Sequence, residues 1–167
     1  STWDFKNKWL EDVNDDKSLC EAAYEILKDA DAVVTHNGKR FDWKYLQTRL
    51  QTNKLPLLPK IHHIDTKAIA SSNLFYFSNS LDHLTENLGL TRKLSHDGWP
   101  LWEKTHGSVP RVRCEKSETL MTKYCKQDVK ALTELYKEMR PLVANIPNFN
   151  LYQVGGSKPV CPSCGST

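Results

Sequence analysis

The chain has 167 residues, enough for one domain with a sizeable core, and its 39% hydrophobic and 26% charged residues are typical of an ordinary soluble protein. No apolar run approaches the roughly 20 residues that a membrane helix needs, and the first ten residues lack a signal-peptide apolar region. We therefore expect a cytoplasmic protein without membrane contact. The formal net charge of +3 permits a nucleic-acid partner without requiring one.

The first third of the chain alternates between helix and strand patterns. KSLCEAAYEILKDA predicts a helix, with Ser18 and Glu21 at the spacing of a capping box. The β-branched run at residues 31–36 predicts a buried strand. After it, the turn at Asn37-Gly38 leads into a second predicted helix in NGKRFDWKYLQTRLQ.

The middle of the chain repeats this alternation. IHHIDTKAIAS predicts a short strand that enters a helix near Asp65 and Thr66. NSLDHLTENLGL predicts a further helix, with Ser80 as its N-cap and Gly89 as its stop. Between them, the aromatic run LFYFS at residues 74–78 fits either a base-stacking platform or part of the core. Strands that alternate with helices indicate an α/β fold.

A long helix is predicted from about residue 117 to 140, ending at Pro141. Asp128 falls within its apolar stripe, where a bare carboxylate is costly unless it meets a cation, a metal or several donors. The alternative to a functional site is that Asp128 is a buried acid in an ion pair with Lys39 or Arg49. The stripe is predicted to contain Leu120, Met121, Tyr124, Cys125, Val129, Leu132, Leu135 and Tyr136.

A second acid, Asp42, follows the first predicted strand and begins the next helix. Sites in α/β folds tend to form just beyond the carboxyl ends of strands. The alternative is an acid in the first helical turn that complements the helix dipole.

The two acids lie within recognisable motifs. Asn37, Phe41 and Asp42 form N-x3-F-D after a strand, and Tyr124 and Asp128 form Y-x3-D on the terminal helix. These resemble the second and third motifs of the DEDD 3′–5′ exonucleases, in the subtype that has tyrosine before the last aspartate. This family is related to the proofreading domain of family B DNA polymerases, and the resemblance covers about residues 18 to 140.

The resemblance implies an α/β fold of the ribonuclease H-like type, with helices flanking a sheet. It implies that Asp42 and Asp128 are ligands of a two-metal site for Mg²⁺ or Mn²⁺ and that Tyr124 orients the nucleophile. It also implies that Asn37 and Phe41 shape the pocket for the terminal nucleotide. The expected substrates are the 3′ ends of DNA or RNA.

The first motif of the family, D-x-E, is absent from the 167 residues. The resemblance begins where a family member would finish its third strand, which predicts a sheet that is incomplete at its N-terminal side. We therefore expect an isolated chain to be inactive unless a complementing N-terminal chain, or a polymerase partner, supplies D-x-E. The alternative is a non-catalytic module for nucleic-acid binding or assembly.

The expected domain organisation is a nuclease domain at residues 1–142 and a linker with a cysteine pair at residues 143–167. Cys161 and Cys164 form C-x2-C followed by glycine, which is the pattern of a zinc knuckle. Four ligands are needed for tetrahedral zinc, so the pair is half of a site; a free C-x-x-C is the alternative. Relatives with such a C-terminal knuckle occur in phages and bacteria, so we expect the cytoplasm of a bacterium or of a phage-infected cell.

Overall fold

The computed structural model describes residues 16–92 and 115–144, and for residues 115–118 it describes the backbone alone. Five α-helices and two β-strands are formed by these residues. In chain order they are α1 (Lys17–Leu27), β1 (Ala32–Thr35), α2 (Asp42–Thr52), β2 (His62–Asp65), α3 (Thr66–Asn73), α4 (Leu81–Asn87) and α5 (Glu115–Met139), followed by a 3-10 turn at Arg140–Leu142. None of the helices in these two ranges has the length and apolar character required to cross a bilayer.

The two strands pair in parallel, with Ala32 opposite His62 and Thr35 opposite Asp65. Parallel strands need a crossover connection, and α2 provides it, so β1, α2 and β2 form a β–α–β unit. Both predicted strands and the helix between them are confirmed. The described part of the chain is therefore a mixed α/β structure with a small parallel sheet.

One core cluster lies between α1 and α2 and buries Cys20, Leu50 and Leu58. At its edge the guanidinium of Arg49 donates to both carboxylate oxygens of Asp16, at 2.6 and 2.7 Å. This pairing with Arg49 holds the pKa of Asp16 well below its usual range. Arg49, considered above as a partner of Asp128, thus pairs with Asp16 instead.

The predicted capping box at the start of α1 is wrong. The helix begins at Lys17, so Ser18 lies inside it and Asp16 occupies the N-cap position. The side chain of Asp16 makes no capping hydrogen bond. Its carboxylate is instead bound by Arg49 and by the Nδ2 of Asn53, which donates to it at 2.8 Å.

A second core cluster forms where α3, α4 and α5 meet. Glu134 of α5 accepts hydrogen bonds from the backbone N–H and the hydroxyl of Thr91, at 2.8 and 2.9 Å, which ties the chain after α4 to α5. These contacts fix α5 over the helices that follow β2. The buried residues of the cluster are Ala70, Leu84, Leu135 and Met139.

The predicted ends of the later helices are confirmed. The hydroxyl of Ser80 accepts from the backbone N–H of His83 and caps α4. Gly89, with φ +66°, lies in the left-handed region that glycine adopts readily, two residues after α4 ends. The last helix, α5, ends at Met139, and Pro141 lies in the 3-10 turn that follows.

The contact between Asp16 and Arg49 gives a test of how α1 is held on α2. Lysine keeps the charge of Arg49 but cannot donate two parallel hydrogen bonds, so we expect Arg49→Lys to lower the free energy of unfolding by about 1 kcal/mol. Arg40→Lys is the matched control, because Arg40 is exposed and has no ion pair within the described ranges. Urea unfolding that shows equal changes for both variants would contradict a stabilising role for the pair.

Candidate functional site

The turn between β1 and α2 carries three of the predicted site residues, and its backbone has special requirements. Asn37 has φ 68°, in the left-handed region that asparagine tolerates better than most residues. Gly38 is buried, and a Cβ at this position would lie 2.6 Å from the Cβ of Thr35. The turn therefore folds back onto the last residue of β1 so closely that only glycine fits.

The carboxylate of Asp65, at the end of β2, holds this turn in place. Its Oδ1 accepts from the backbone N–H of Asn37 at 2.9 Å, and its Oδ2 accepts from that of Lys39 at 3.2 Å. Oδ1 also accepts from the N–H groups of Lys67 and Ala68, at 3.1 and 3.3 Å, and so caps α3. One side chain thus fixes both the candidate-site turn and the start of the next helix.

Two opposing effects act on the charge of Asp65. Burial raises the pKa of its carboxyl, while the hydrogen bonds from the N–H groups of Asn37, Lys39, Ala68 and Lys67 lower it more, so the pKa lies below its usual value. The carboxylate therefore stays ionised at neutral pH, which strengthens each of these hydrogen bonds.

Two histidines join the ends of the strands to their surroundings. The Nε2–H of His36 donates to the backbone carbonyl of Asn79 at 3.0 Å, and its Nδ1 lies 2.9 Å from the hydroxyl of Thr66. The Nε2 of His63 lies 2.8 Å from the hydroxyl of Thr35, and burial lowers the pKa of this imidazole. His36 thereby connects the end of β1 to α3 and to the segment that precedes α4.

Asn37, Phe41 and Asp42 follow the carboxyl end of β1, and their assignment as site residues stays a prediction. Asn37 is half-buried, Phe41 is 67% exposed, and Asp42 is exposed as the first residue of α2. An acid at this position is equally suited to binding a cation and to complementing the helix dipole. Both roles for Asp42 therefore stay open.

On α5, Tyr124 and Asp128 share the face that packs into the protein. Tyr124 is buried, and the Oδ1 atom of Asp128 is also shielded from solvent. Residues four apart on a helix are neighbours on one face, so the phenol and the carboxylate lie one turn apart. Asp128 is followed on the same face by the fully buried Ala131 and Leu135.

The predicted stripe on α5 needs a correction. Leu120, Cys125 and Val129 were expected to face the core, but all three are exposed. The buried face passes instead through residues 124, 131, 135 and 139, with Asp128 in the interval between the first two. Its spacing of three to four residues is regular, and it includes an alanine whose small side chain gives little hydrophobic signal.

The two groups of candidate residues belong to different packing layers. The α2 helix, which begins at Asp42, packs against α1, while α5, which carries Asp128, packs against α3 and α4. The closeness of Asp42 to Asp128 stays a prediction. Within residues 16–92 and 115–144, no cluster of three or more His, Cys, Asp or Glu side chains is arranged to hold a metal ion. Cys161 and Cys164, the predicted half of a zinc site, lie outside the described residues.

In a comparison with protein families, the family model described as RNase_H superfamily matches residues 2–140. No curated protein and no solved structure matches the chain.

The anchoring role of Asp65 can be tested through the pH dependence of stability. We expect Asp65→Asn to lower the free energy of unfolding by about 2 kcal/mol at pH 7, because charge-assisted hydrogen bonds from partly buried amides are lost. Since the pKa of Asp65 is lowered in the folded state, its contribution is present above its unfolded pKa and is lost as the pH falls through the folded pKa.

Urea unfolding of the wild type and the variant from pH 7 to pH 3 measures this difference, which should shrink below about pH 4. The exposed Asp29→Asn is the control, with an expected change within about 0.5 kcal/mol. A difference that stays constant over the whole range would show that the charge of Asp65 does not matter.

The close approach at Gly38 gives a second test. We expect Gly38→Ala to cost about 1–3 kcal/mol, because the new methyl group would overlap the side chain of Thr35. At Gly89 an added Cβ would meet no atom within 4 Å, so Gly89→Ala should cost only the strain of its positive φ, about 1 kcal/mol. Hydrogen exchange of the Asn37 and Lys39 amides should accelerate in the first variant and not in the second. Unchanged exchange in Gly38→Ala would contradict the tight turn.

Proposed function

Because the chain belongs to the RNase H superfamily, we propose that it is a component of a metal-dependent 3′–5′ exonuclease of the DEDD tyrosine subtype. The superfamily supports a nuclease-type or nucleic-acid-related function in general. The finer assignment rests on the motifs N-x3-F-D and Y-x3-D. In this proposal the chain acts on terminal phosphodiester bonds of DNA or RNA, and needs a D-x-E segment for activity.

The observation that carries the proposal is the position of Asp128. Its carboxylate lies on the core-facing side of α5, one turn after the buried Tyr124, with one oxygen shielded from solvent. A carboxylate on this face, one turn from a tyrosine hydroxyl, is well placed to hold a cation together with a second acid at the end of β1.

The donor types fit the proposed metals. Asp42 and Asp128 offer the hard carboxylate oxygens that Mg²⁺ and Mn²⁺ prefer. When bound, two such ions would stabilise the attacking and leaving oxygens of an in-line displacement. Two carboxylates are fewer than a two-metal site needs, which is why the proposal includes the D-x-E segment.

The remaining residues are assigned by position. The hydroxyl of Tyr124, next to Asp128 on α5, orients the attacking water. The exposed ring of Phe41 and the side chain of Asn37, both on the turn after β1, contact the terminal nucleotide. Because Asp65 and Gly38 fix this turn, the two contacts are pre-organised and cost little entropy on binding.

The same proposal covers the rest of the chain and its partners. Residues 1–142 belong to the nuclease domain, and residues 143–167 are a linker with Cys161 and Cys164 as half of a zinc site. A complementing N-terminal chain or a DNA polymerase supplies D-x-E, in the cytoplasm of a bacterium or a phage-infected cell.

A second candidate is a non-catalytic module for nucleic-acid binding or assembly. It is favoured by one observation: within the described ranges no three His, Cys, Asp or Glu side chains cluster in a way that suits a metal. Adding a D-x-E segment distinguishes the two candidates, because cleavage should be restored only in the exonuclease component.

For the isolated chain with Mg²⁺ we expect no detectable 3′-exonuclease activity, because each missing carboxylate removes an anionic ligand and lowers metal affinity steeply. Fusing or adding a segment with D-x-E should restore release of nucleoside monophosphates from labelled oligonucleotides. In the restored protein, Asp128→Ala should abolish cleavage. Tyr124→Phe should lower the rate with a smaller effect on metal binding.

Asn37→Gly is a control that distinguishes the contribution of the Asn37 side chain to activity from that of the backbone conformation of the turn. Glycine adopts the left-handed conformation of residue 37 without strain, so this variant keeps the turn and removes only the amide. We expect it to raise KM while Asp128→Ala removes activity altogether. Robust cleavage by the isolated chain, or restored cleavage that is indifferent to Asp128, would refute the proposal.

A further inference from the structure

The segment between α3 and α4, residues 74–80, presents two fully exposed aromatic rings; we call it the aromatic loop. Leu74 and Tyr76 turn inward and pack against the core cluster of α3, α4 and α5. Phe75 and Phe77 point the other way, with relative exposures of 101% and 102%. The alternation is that of an extended chain, in which residues two apart share a side.

Within residues 16–92 and 115–144, no side chain covers these two rings. The loop is already anchored from its inner side, where Tyr76 also meets the imidazole of His83 edge to face at 6.3 Å. Large apolar groups left fully in water are a cost to solubility, and neighbouring pairs of them tend to mark binding surfaces. Phe75 and Phe77 are therefore better explained by a ligand than by packing.

The aromatic loop is attached directly to the candidate site. The backbone carbonyl of Asn79, two residues after Phe77, accepts the hydrogen bond from His36 at 3.0 Å. His36 immediately precedes Asn37, the first residue of the candidate-site turn. The inner side of the aromatic loop is thus joined to the residue that precedes the candidate-site turn, and this contact is what would bring a strand bound at Asn37 and Phe41 near the loop.

The charges in this region suit a polyanion. Lys39 and Arg40 on the candidate-site turn are exposed, and neither has an ion pair within the described part of the chain. Residues 68–81, which include the whole aromatic loop, contain no charged side chain. Phosphates would therefore meet two available cations on the turn. The acids nearby are Asp42, which we assign to the cation, Asp65, which accepts hydrogen bonds from backbone N–H groups, and Asp82, which lies 4.0 Å from Arg92.

We propose that Phe75 and Phe77 are a stacking platform for the bases of a single-stranded nucleic acid, with Lys39 and Arg40 on its phosphates. The proposal rests on the proposed function, which places the 3′ end at Asn37 and Phe41. Each base has an aromatic face, so stacking of this kind accepts any sequence. In a duplex the bases are already stacked on each other, so the platform selects single strands.

The test uses the full chain and needs no cleavage. Binding of a fluorescently labelled 15-nucleotide oligo-dT is measured in EDTA for the wild type and two double variants. Phe75→Leu with Phe77→Leu keeps apolar side chains and removes the rings, and we expect about tenfold or greater weakening. Phe75→Trp with Phe77→Trp is the matched control and should bind at least as tightly as the wild type. Both positions are exposed, so urea unfolding should change little.

Further arms identify the ligand. An oligo-rU of the same length tests RNA against DNA, and a blunt duplex should bind weakly and be insensitive to both double variants. Replacing Lys39 and Arg40 by glutamine should reduce the slope of log affinity against log salt by about 1.4, since each phosphate contact on a single strand contributes about 0.7.

Equal affinity of the leucine variant and the wild type, or no binding of oligo-dT at all, would overturn the inference. A wild-type dimer that the leucine variant dissociates would assign the rings to a second copy and overturn it as well. Ring-dependent binding without any cleavage after D-x-E is supplied would refute the exonuclease proposal and leave the platform standing. Cleavage that is unchanged in both double variants would refute the stacking platform and leave the exonuclease proposal standing.

Discussion

The structure depends on one buried carboxylate, that of Asp65. It stands at the point where β2 ends and α3 begins, and it also reaches back to two amides of the turn after β1. Without it, four N–H groups near the strand ends would lose a charged acceptor in a partly buried position. The register of the two strands explains why it can serve both sides: Thr35 and Asp65 are directly opposite each other, so the chain segments that leave them start side by side.

This arrangement gives the candidate site a rigid base. The turn is held by the amides of Asn37 and Lys39 from one side and by the close contact of Gly38 with Thr35 from the other. The turn is held by its backbone and not by the side chains of Lys39, Arg40 and Phe41, and all three residues are exposed. A rigid backbone with unoccupied side chains is a suitable platform for binding, because little conformational entropy is lost when a ligand arrives.

Features that depend on neighbouring residues were predicted from the sequence, whereas features that depend on contacts with distant residues were not. Strand β2, its entry into α3, the cap at Ser80 and the stop at Gly89 all depend on neighbouring residues, and each was predicted. The capping box at Ser18 was wrong because Arg49, far along the chain, determines what Asp16 does. The second role of Asp65 was missed for the same reason, since its partners at Asn37 and Lys39 come from the previous β–α connection.

For α5 the error was of another kind. The predicted stripe included Val129, but the side of α5 that is buried where the helix packs against α3 and α4 passes through Ala131 instead. The predicted position of Asp128 between Tyr124 and Leu135 agrees with the buried face. The run LFYFS was left with two interpretations; the structure confirms the core interpretation for Tyr76, while Phe75 and Phe77 are exposed and their role in base stacking stays a prediction.

The geometry of Asp65 also bears on how the proposed metal site could be completed. As a buried acid at the end of a strand next to Asn37, it would be the natural choice for a third carboxylate ligand. Its Oδ1 accepts three backbone N–H groups and its Oδ2 accepts one, so only Oδ2 keeps an acceptor position open. A cation bound there would compete with the Lys39 N–H that helps to hold the candidate-site turn. In the exonuclease proposal, a segment such as D-x-E is therefore a better source of the additional carboxylates than this strand.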